Sequence, residues 1–188
     1  SKRFIIHEKV FDSFLFLLLK NFKKYEIGNP NDVKTNFSEM AREDLAKDLE
    51  KQYQTALENG AEYILPLERI SKAGFKPGIL KMNGENPIND EELFGPLAMV
   101  YSGKSDEELL AIANDTMFGL GNSVWTGDKE KALFFAENLE SGTVSINQIS
   151  KSDVRLPFGG TKNSCYGTEL SLYALHEFTI KKTIIGNF

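Results

Sequence analysis

Residues 97–147, LAMVYSGKSDEELLAIANDTMFGLGNSVWTGDKEKALFFAENLESGTVSIN, decide the fold. The apolar run over 97–101 reads as a buried strand. Ser105 follows as a helix N-cap with Glu108 three residues on, the capping-box spacing, so a helix is expected over 105–115. Residues 122–125 make the next strand, 128–139 the next helix with Asp128 placed to cap it, and 143–146 a strand again. Strand and helix alternating through short connections mark βαβ units, which place a parallel sheet between helical layers. The expected class is therefore α/β.

Upstream, residues 3–7 (RFIIH) have strand character. A helix is expected over 8–25, where Val10, Phe11, Phe14, Leu17 and Leu18 recur on one face, before the Gly28-Asn29-Pro30 stop. A second helix is expected over 39–59 with Leu45, Leu49, Tyr53, Ala56 and Leu57 on its apolar face and Gly60 as its terminal glycine. Strands at 61–65 and 74–82 and a turn-rich loop at 84–90 complete this half. Downstream, residues 150–167 break the alternation with polar and glycine residues around Pro157-Phe158-Gly159-Gly160. That segment is too long for a simple connector and follows a parallel strand, which makes it a candidate site. A short helix over 169–177 and a final strand over 178–185 (FTIKKTII), free to pair with another subunit, end the chain.

Composition narrows the function classes. Lysine and arginine total 22 against 27 acidic residues in 188, a net charge of −5 with no basic stripe, which argues against nucleic-acid binding. With 41% hydrophobic and 26% charged residues the chain should fold as a soluble body. Its strongest apolar run, 14–19 (FLFLLL), is far shorter than the roughly 20 residues of a membrane helix and is followed by Lys20, Lys23 and Lys24, so no membrane association is expected. One cysteine and two histidines supply neither a disulfide nor a structural zinc set, so no metal is expected and a reducing, cytoplasmic setting fits. No signal peptide is expected, and a strand-like run beginning within three residues of Ser1 suggests a piece of a longer chain.

The residues alone leave the chemistry open. Cys165 has no histidine near it in sequence and only Lys162 as a nearby cation, so it reads as an inert small residue. Glu92 and Phe94 stand two apart before a strand and so share a direction; a carboxylate suits ribose hydroxyls and a flat ring suits a nicotinamide. The competing reading is a core phenylalanine beside a solvated glutamate. No G-x-G-x-x-G or Walker sequence is present, so a self-contained nucleotide-binding domain is not supported.

KRFI at 2–5, EELFGP at 91–96, ANDTMFGLGNSVWT at 113–126, SGTVSIN at 141–147 and RLPFGGTKNSCYGTELS at 155–171, in this order, resemble the second half of the NAD(P)-dependent aldehyde dehydrogenase superfamily, closest to its succinate-semialdehyde dehydrogenase branch. The resemblance implies a three-layer αβα catalytic domain with a mainly parallel sheet over 1–177 and a C-terminal oligomerisation strand over 178–188, the NAD(P)-binding domain being absent from this chain. It implies that Glu92 holds the nicotinamide ribose, that Phe94 contacts the nicotinamide, and that Ser152 and Phe158 face the aldehyde, Ser152 donating to a substrate carboxylate; for Ser152 a plain turn role is the alternative. Asn147 matches an asparagine that ends the strand before that loop.

The resemblance also implies NAD or NADP as cofactor, a small aldehyde as substrate, a homo-oligomer, and a mechanism through a cysteine thioester. The nucleophilic cysteine, general-base glutamate and oxyanion asparagine would lie upstream of Ser1, leaving no catalytic residue in this chain and the isolated chain inactive. Two departures stand out: Cys165 replaces a glycine and Thr168 an arginine. Cys165 would be awkward if its position needs a positive φ, and the pair lends weight to the alternative of a non-catalytic assembly module that keeps the fold.

Overall fold

The computed structural model describes residues 2–187. They cluster as two compact units, one up to Asp115 and one from Thr116. The first contains β1 (Arg3–His7), α1 (Glu8–Phe22), α2 (Glu43–Glu58), β2 (Glu62–Leu65), β3 (Glu68–Arg69), β4 (Phe75–Lys76), β5 (Gly78–Lys81), a 3-10 turn (Pro87–Asp90), β6 (Leu97–Gly103) and α3 (Asp106–Asn114). The second contains β7 (Phe118–Gly119), β8 (Gly121–Val124), α4 (Lys129–Asn138), β9 (Thr143–Ile146), β10 (Thr161–Lys162) and a 3-10 turn (Tyr173–Phe178).

The first unit is built on a four-stranded sheet in the order β1-β6-β5-β2, with β6 parallel to both neighbours and β2 antiparallel to β5. Alternate residues along each strand leave on opposite faces, and both faces of this sheet are covered. Leu97, Met99 and Tyr101 of β6 join Ala46, Leu49, Tyr53 and Ala56 of α2, with Ile112 of α3 against them. Ala98 and Val100 join Ile6 and Ile79, and meet Phe11, Phe14, Leu15 and Leu18 of α1. The result is the expected three-layer αβα arrangement with a mainly parallel sheet. α2 begins at Glu43 rather than near 39 because Met40 gives its amide to the Ala73 carbonyl at 2.9 Å and is thereby held in tertiary structure. It ends where expected, with Gly60 at φ +89°.

In the second unit β8 and β9 pair in parallel with α4 between them, one βαβ unit, and β7 pairs antiparallel with β10. The strands expected at 97–101, 122–125 and 143–146 therefore form but do not share a sheet. Both edges of β6 are already taken by β1 and β5, which come from distant sequence. The helix expected over 169–177 is replaced by the 3-10 turn: Leu170 and Ser171 lie at φ 61° and 55°, incompatible with an α-helical start, and Glu169 is bridged to Phe158. The strand expected over 178–185 is likewise not formed: Phe178 ends that 3-10 turn, and residues 179–187 carry no helix or strand. A strand requires a ladder partner, and none is present among the described residues of this single chain. Among the described residues, no helix is long and apolar enough to cross a membrane.

Candidate functional site

The residues singled out in the sequence fall into two groups, one in each unit. The first is the passage from the 3-10 turn into β6. Leu93 is fully buried, whereas Glu92 is exposed and Phe94 is 64% exposed. This extended alternation turns both side chains away from the core. The adjoining turn is held by the Gly95 amide on the Leu93 carbonyl at 3.0 Å and the Leu97 amide on the Gly95 carbonyl at 2.9 Å, while Gly78 donates to Pro96 at 2.8 Å. A Cβ at 95 would meet the buried Leu49 side chain of α2, which would have to shift to admit it.

The neighbouring carboxylates differ in use. Glu91 accepts from Gln52 Nε2 at 2.7 Å, whereas Glu92 makes no hydrogen bond among the described residues. Lys2 donates from Nζ to the Gly95 carbonyl at 2.7 Å. Burial pushes the Lys2 ammonium below the ordinary lysine value, and the Glu92 carboxylate pulls in the opposite direction. An unengaged carboxylate that can accept two hydroxyl hydrogen bonds beside an uncovered ring fits the ribose and nicotinamide halves of a dinucleotide.

The second group lies in the segment after β9. Asn147, at φ 53°, clasps the end of β8: its Oδ1 accepts the Thr126 amide and its Nδ2 donates to the Thr126 carbonyl, each at 2.9 Å. Ser150 follows with Oγ donating to the Asn122 carbonyl at 3.0 Å. Ser152 is exposed. Next to it Arg155 grips Asp153 with Nε at 2.9 Å and a terminal nitrogen at 2.6 Å, which holds the Asp153 carboxyl down at about 2. Phe158 is half-buried and its backbone exchanges hydrogen bonds with Glu169 at 2.8 and 2.7 Å.

Much of the PFGGTKNS stretch is framework. Thr161 Oγ1 donates to Glu140 and Gly119 carbonyls at 2.8 and 3.3 Å, Ser164 Oγ accepts the Gly119 amide at 2.9 Å, and Lys162 pairs with Glu140 at 2.6 Å. Lys162 is thus committed to Glu140 and the Thr116 carbonyl. Cys165 is half-buried and is not among the residues with positive φ; Gly167 is. The strain anticipated from a cysteine at this position is absent.

Sequence reasoning missed Lys2 as a partner of this region, because 93 residues separate it from Gly95. It also missed the polar cavity of about 280 Å³ beside Arg3, Asn89, Tyr101 and Glu108. There the Arg3 guanidinium lies over the Tyr101 ring at 5.1 Å and donates to the Ile112 carbonyl at 2.7 Å, closing the end of α3, while the Tyr101 hydroxyl donates to Asn89 at 2.8 Å. Among the described residues no set of three or more His, Cys, Asp or Glu side chains could hold a metal ion.

The first unit is thus an αβα layer structure that presents an exposed carboxylate and an exposed ring just before a central parallel strand. The chain belongs to the aldehyde dehydrogenase family, whose model matches residues 1–184. It is 37% identical over 187 residues to an aldehyde dehydrogenase of Paenarthrobacter nicotinovorans, covering 98% of this chain and 41% of that protein. It is 35% identical to the NADP(+) succinate-semialdehyde dehydrogenase of Deinococcus radiodurans, over 98% of this chain and 39% of that one. The crystal structure of succinic semialdehyde dehydrogenase from Streptococcus pyogenes in complex with NADP+ superposes with a TM-score of 0.92 at 36% identity, covering all of this chain and 42% of that one. The chain thus spans about two-fifths of the length of the relatives it matches.

Proposed function

We propose that the protein carrying this chain is an NAD(P)-dependent aldehyde dehydrogenase that oxidises succinate semialdehyde to succinate through a cysteine thioester. The nucleophilic cysteine, the general-base glutamate, the oxyanion asparagine and the dinucleotide-binding domain belong to other parts of that protein. On this reading residues 1–177 are the catalytic domain and 178–188 an oligomerisation strand that finds its ladder partner in a neighbouring subunit. The protein is a cytoplasmic homo-oligomer. Exposure of Phe178 at 90% and Ile180 at 96% supports the oligomer, since apolar side chains on a segment without a ladder are the ordinary mark of a surface awaiting a partner.

One observation carries the reading: Leu93 is buried while Glu92 and Phe94 stand uncovered together on the same turn. NAD or NADP, held by Glu92 and Phe94, would supply the hydride acceptor for oxidation of the aldehyde. Glu92 accepts the nicotinamide ribose hydroxyls, and Phe94 lays its ring against the nicotinamide to orient it. Ser152 donates to the carboxylate of the semialdehyde, with Lys151 beside it adding positive charge, and Phe158 lines the aldehyde's path. Cys165, in unstrained backbone and with Lys162 committed elsewhere, has no part in the chemistry. Its lack of strain also removes one argument for a module that has lost the reaction.

The test is a kinetic comparison in the full-length protein. Glu92→Gln is expected to raise the cofactor KM about tenfold, in keeping with loss of charge-assisted hydrogen bonds. Ser152→Ala is expected to raise KM for succinate semialdehyde but not for an uncharged aldehyde. Unchanged cofactor kinetics in Glu92→Gln would remove the central assignment.

A further inference from the structure

We propose that Lys2 is a positioning residue for the nicotinamide-binding turn: by anchoring the Gly95 carbonyl, it holds residues 92–95 in the shape that presents Glu92 and Phe94 together. This rests on the reading of Glu92 and Phe94 given above.

The lysine is held at its base and committed at its tip. Its backbone carbonyl accepts the Met99 amide at 2.9 Å, where β1 enters its parallel register with β6. From that fixed point the side chain reaches back past the start of β6 to the Gly95 carbonyl at 2.7 Å. That oxygen already accepts the Leu97 amide at 2.9 Å, so the turn closes on one acceptor with two donors, of which only Lys2 is charged. Leu49 of α2 lies against the space where a Cβ at 95 would be, so the turn packs closely on that helix.

The partly buried ammonium is near enough to Glu92 for the carboxylate to oppose the effect of burial on it. One cation therefore serves two ends of the same turn: it fixes the backbone at 95 by a hydrogen bond and attracts the carboxylate at 92 without engaging it in one. Glu92 keeps its oxygens free for hydroxyl groups while its surroundings stay fixed, the arrangement expected of a support that preorganises a ligand contact. Without the ammonium, the Gly95 carbonyl keeps a single donor, and the turn gains freedom that cofactor binding must then remove.

The test uses the full-length protein with Lys2→Met, which keeps an apolar stem, Lys2→Arg, Glu92→Gln and the double variant Lys2→Met/Glu92→Gln. Without cofactor, Lys2→Met is expected to speed amide exchange at Gly95 and Leu97 about tenfold. With cofactor, it is expected to raise the dissociation constant and the cofactor KM about tenfold while the aldehyde KM stays put. Lys2→Arg should restore most of both, and the double variant should weaken cofactor binding by less than the two single effects multiplied together. If Lys2→Met does not fold, Lys2→Gln reports the same quantities. Unchanged exchange and cofactor binding in the Lys2 variants, with Glu92→Gln impaired, overturns the role of Lys2 and leaves that of Glu92 standing. Unchanged binding in Glu92→Gln overturns the reading of Glu92 and this inference with it.

Discussion

Two adjacent glutamates show how much the site depends on single side chains. Glu91 is spent on Gln52, whereas Glu92 turns outward with Phe94, so Glu91→Gln is expected to leave the cofactor KM unchanged where Glu92→Gln raises it. Asn147 is a different kind of residue. Its left-handed backbone suits asparagine, and its amide side chain ties two strand ends through a pair of hydrogen bonds. Asn147→Ala is expected to cost about 1 kcal/mol in urea unfolding, because the exposed hydrogen bonds of the Thr126 amide and carbonyl are exchanged for bonds to water and alanine disfavours the left-handed conformation. For Asp153, NMR titration should find the carboxyl at about 2, returning toward 3.8 in Arg155→Ala. A depressed folded-state value means the pair contributes stability above about pH 4 that disappears as pH falls toward 2; the exposed Arg155 partner and salt keep that contribution small. The alternation at 92–94 was legible in the sequence because extended chain has period two, but the commitment of Glu91 and not Glu92 depends on where α2 lies.

The helix starts marked by a capping side chain, at Ser105 and Asp128, were legible. Ser105 accepts the Glu108 amide at 3.2 Å, and Asp128 accepts those of Glu130 and Lys131 at 2.9 and 3.2 Å, as their spacing indicated. Glu108 departs from the simple capping box by taking the Lys104 amide, one residue earlier, at 2.7 Å. Ser105→Ala is expected to cost about 1 kcal/mol, read as a lower urea midpoint at constant m-value. Strands 3–7 and 143–146 also fall where their sequences place them. Their partners were not legible, since periodicity reports the burial of a segment's two faces and carries nothing about which edge meets it. The stretch after residue 168 was misread for a related reason. Glu169-Leu170-Ser171-Leu172 has helical composition, but its bridge to Phe158 and two left-handed residues prevent an α-helix.

Across the molecule, burial is uneven. The wholly buried apolar side chains Leu49, Phe75, Ile79, Leu80, Ile88, Leu93, Met99 and Val100 all belong to the first unit, and among the described residues Ala132 alone represents the second in the buried apolar core. Hydrogen exchange is accordingly expected to be slowest for the β6 amides and faster across β8 and β9 in this chain by itself. The same purified chain is expected to oxidise no aldehyde, since its one thiol lies in a framework segment; measurable turnover would refute that. The amino-acid sequence by itself determined the α/β class, the helix starts at Ser105 and Asp128 and the family, because these reside in local periodicity, capping and short motifs. Only the tertiary structure decided which strands share a sheet, that Cys165 is unstrained, and that Lys2 reaches Gly95. Each of those depends on which distant segments meet, and no local pattern encodes that.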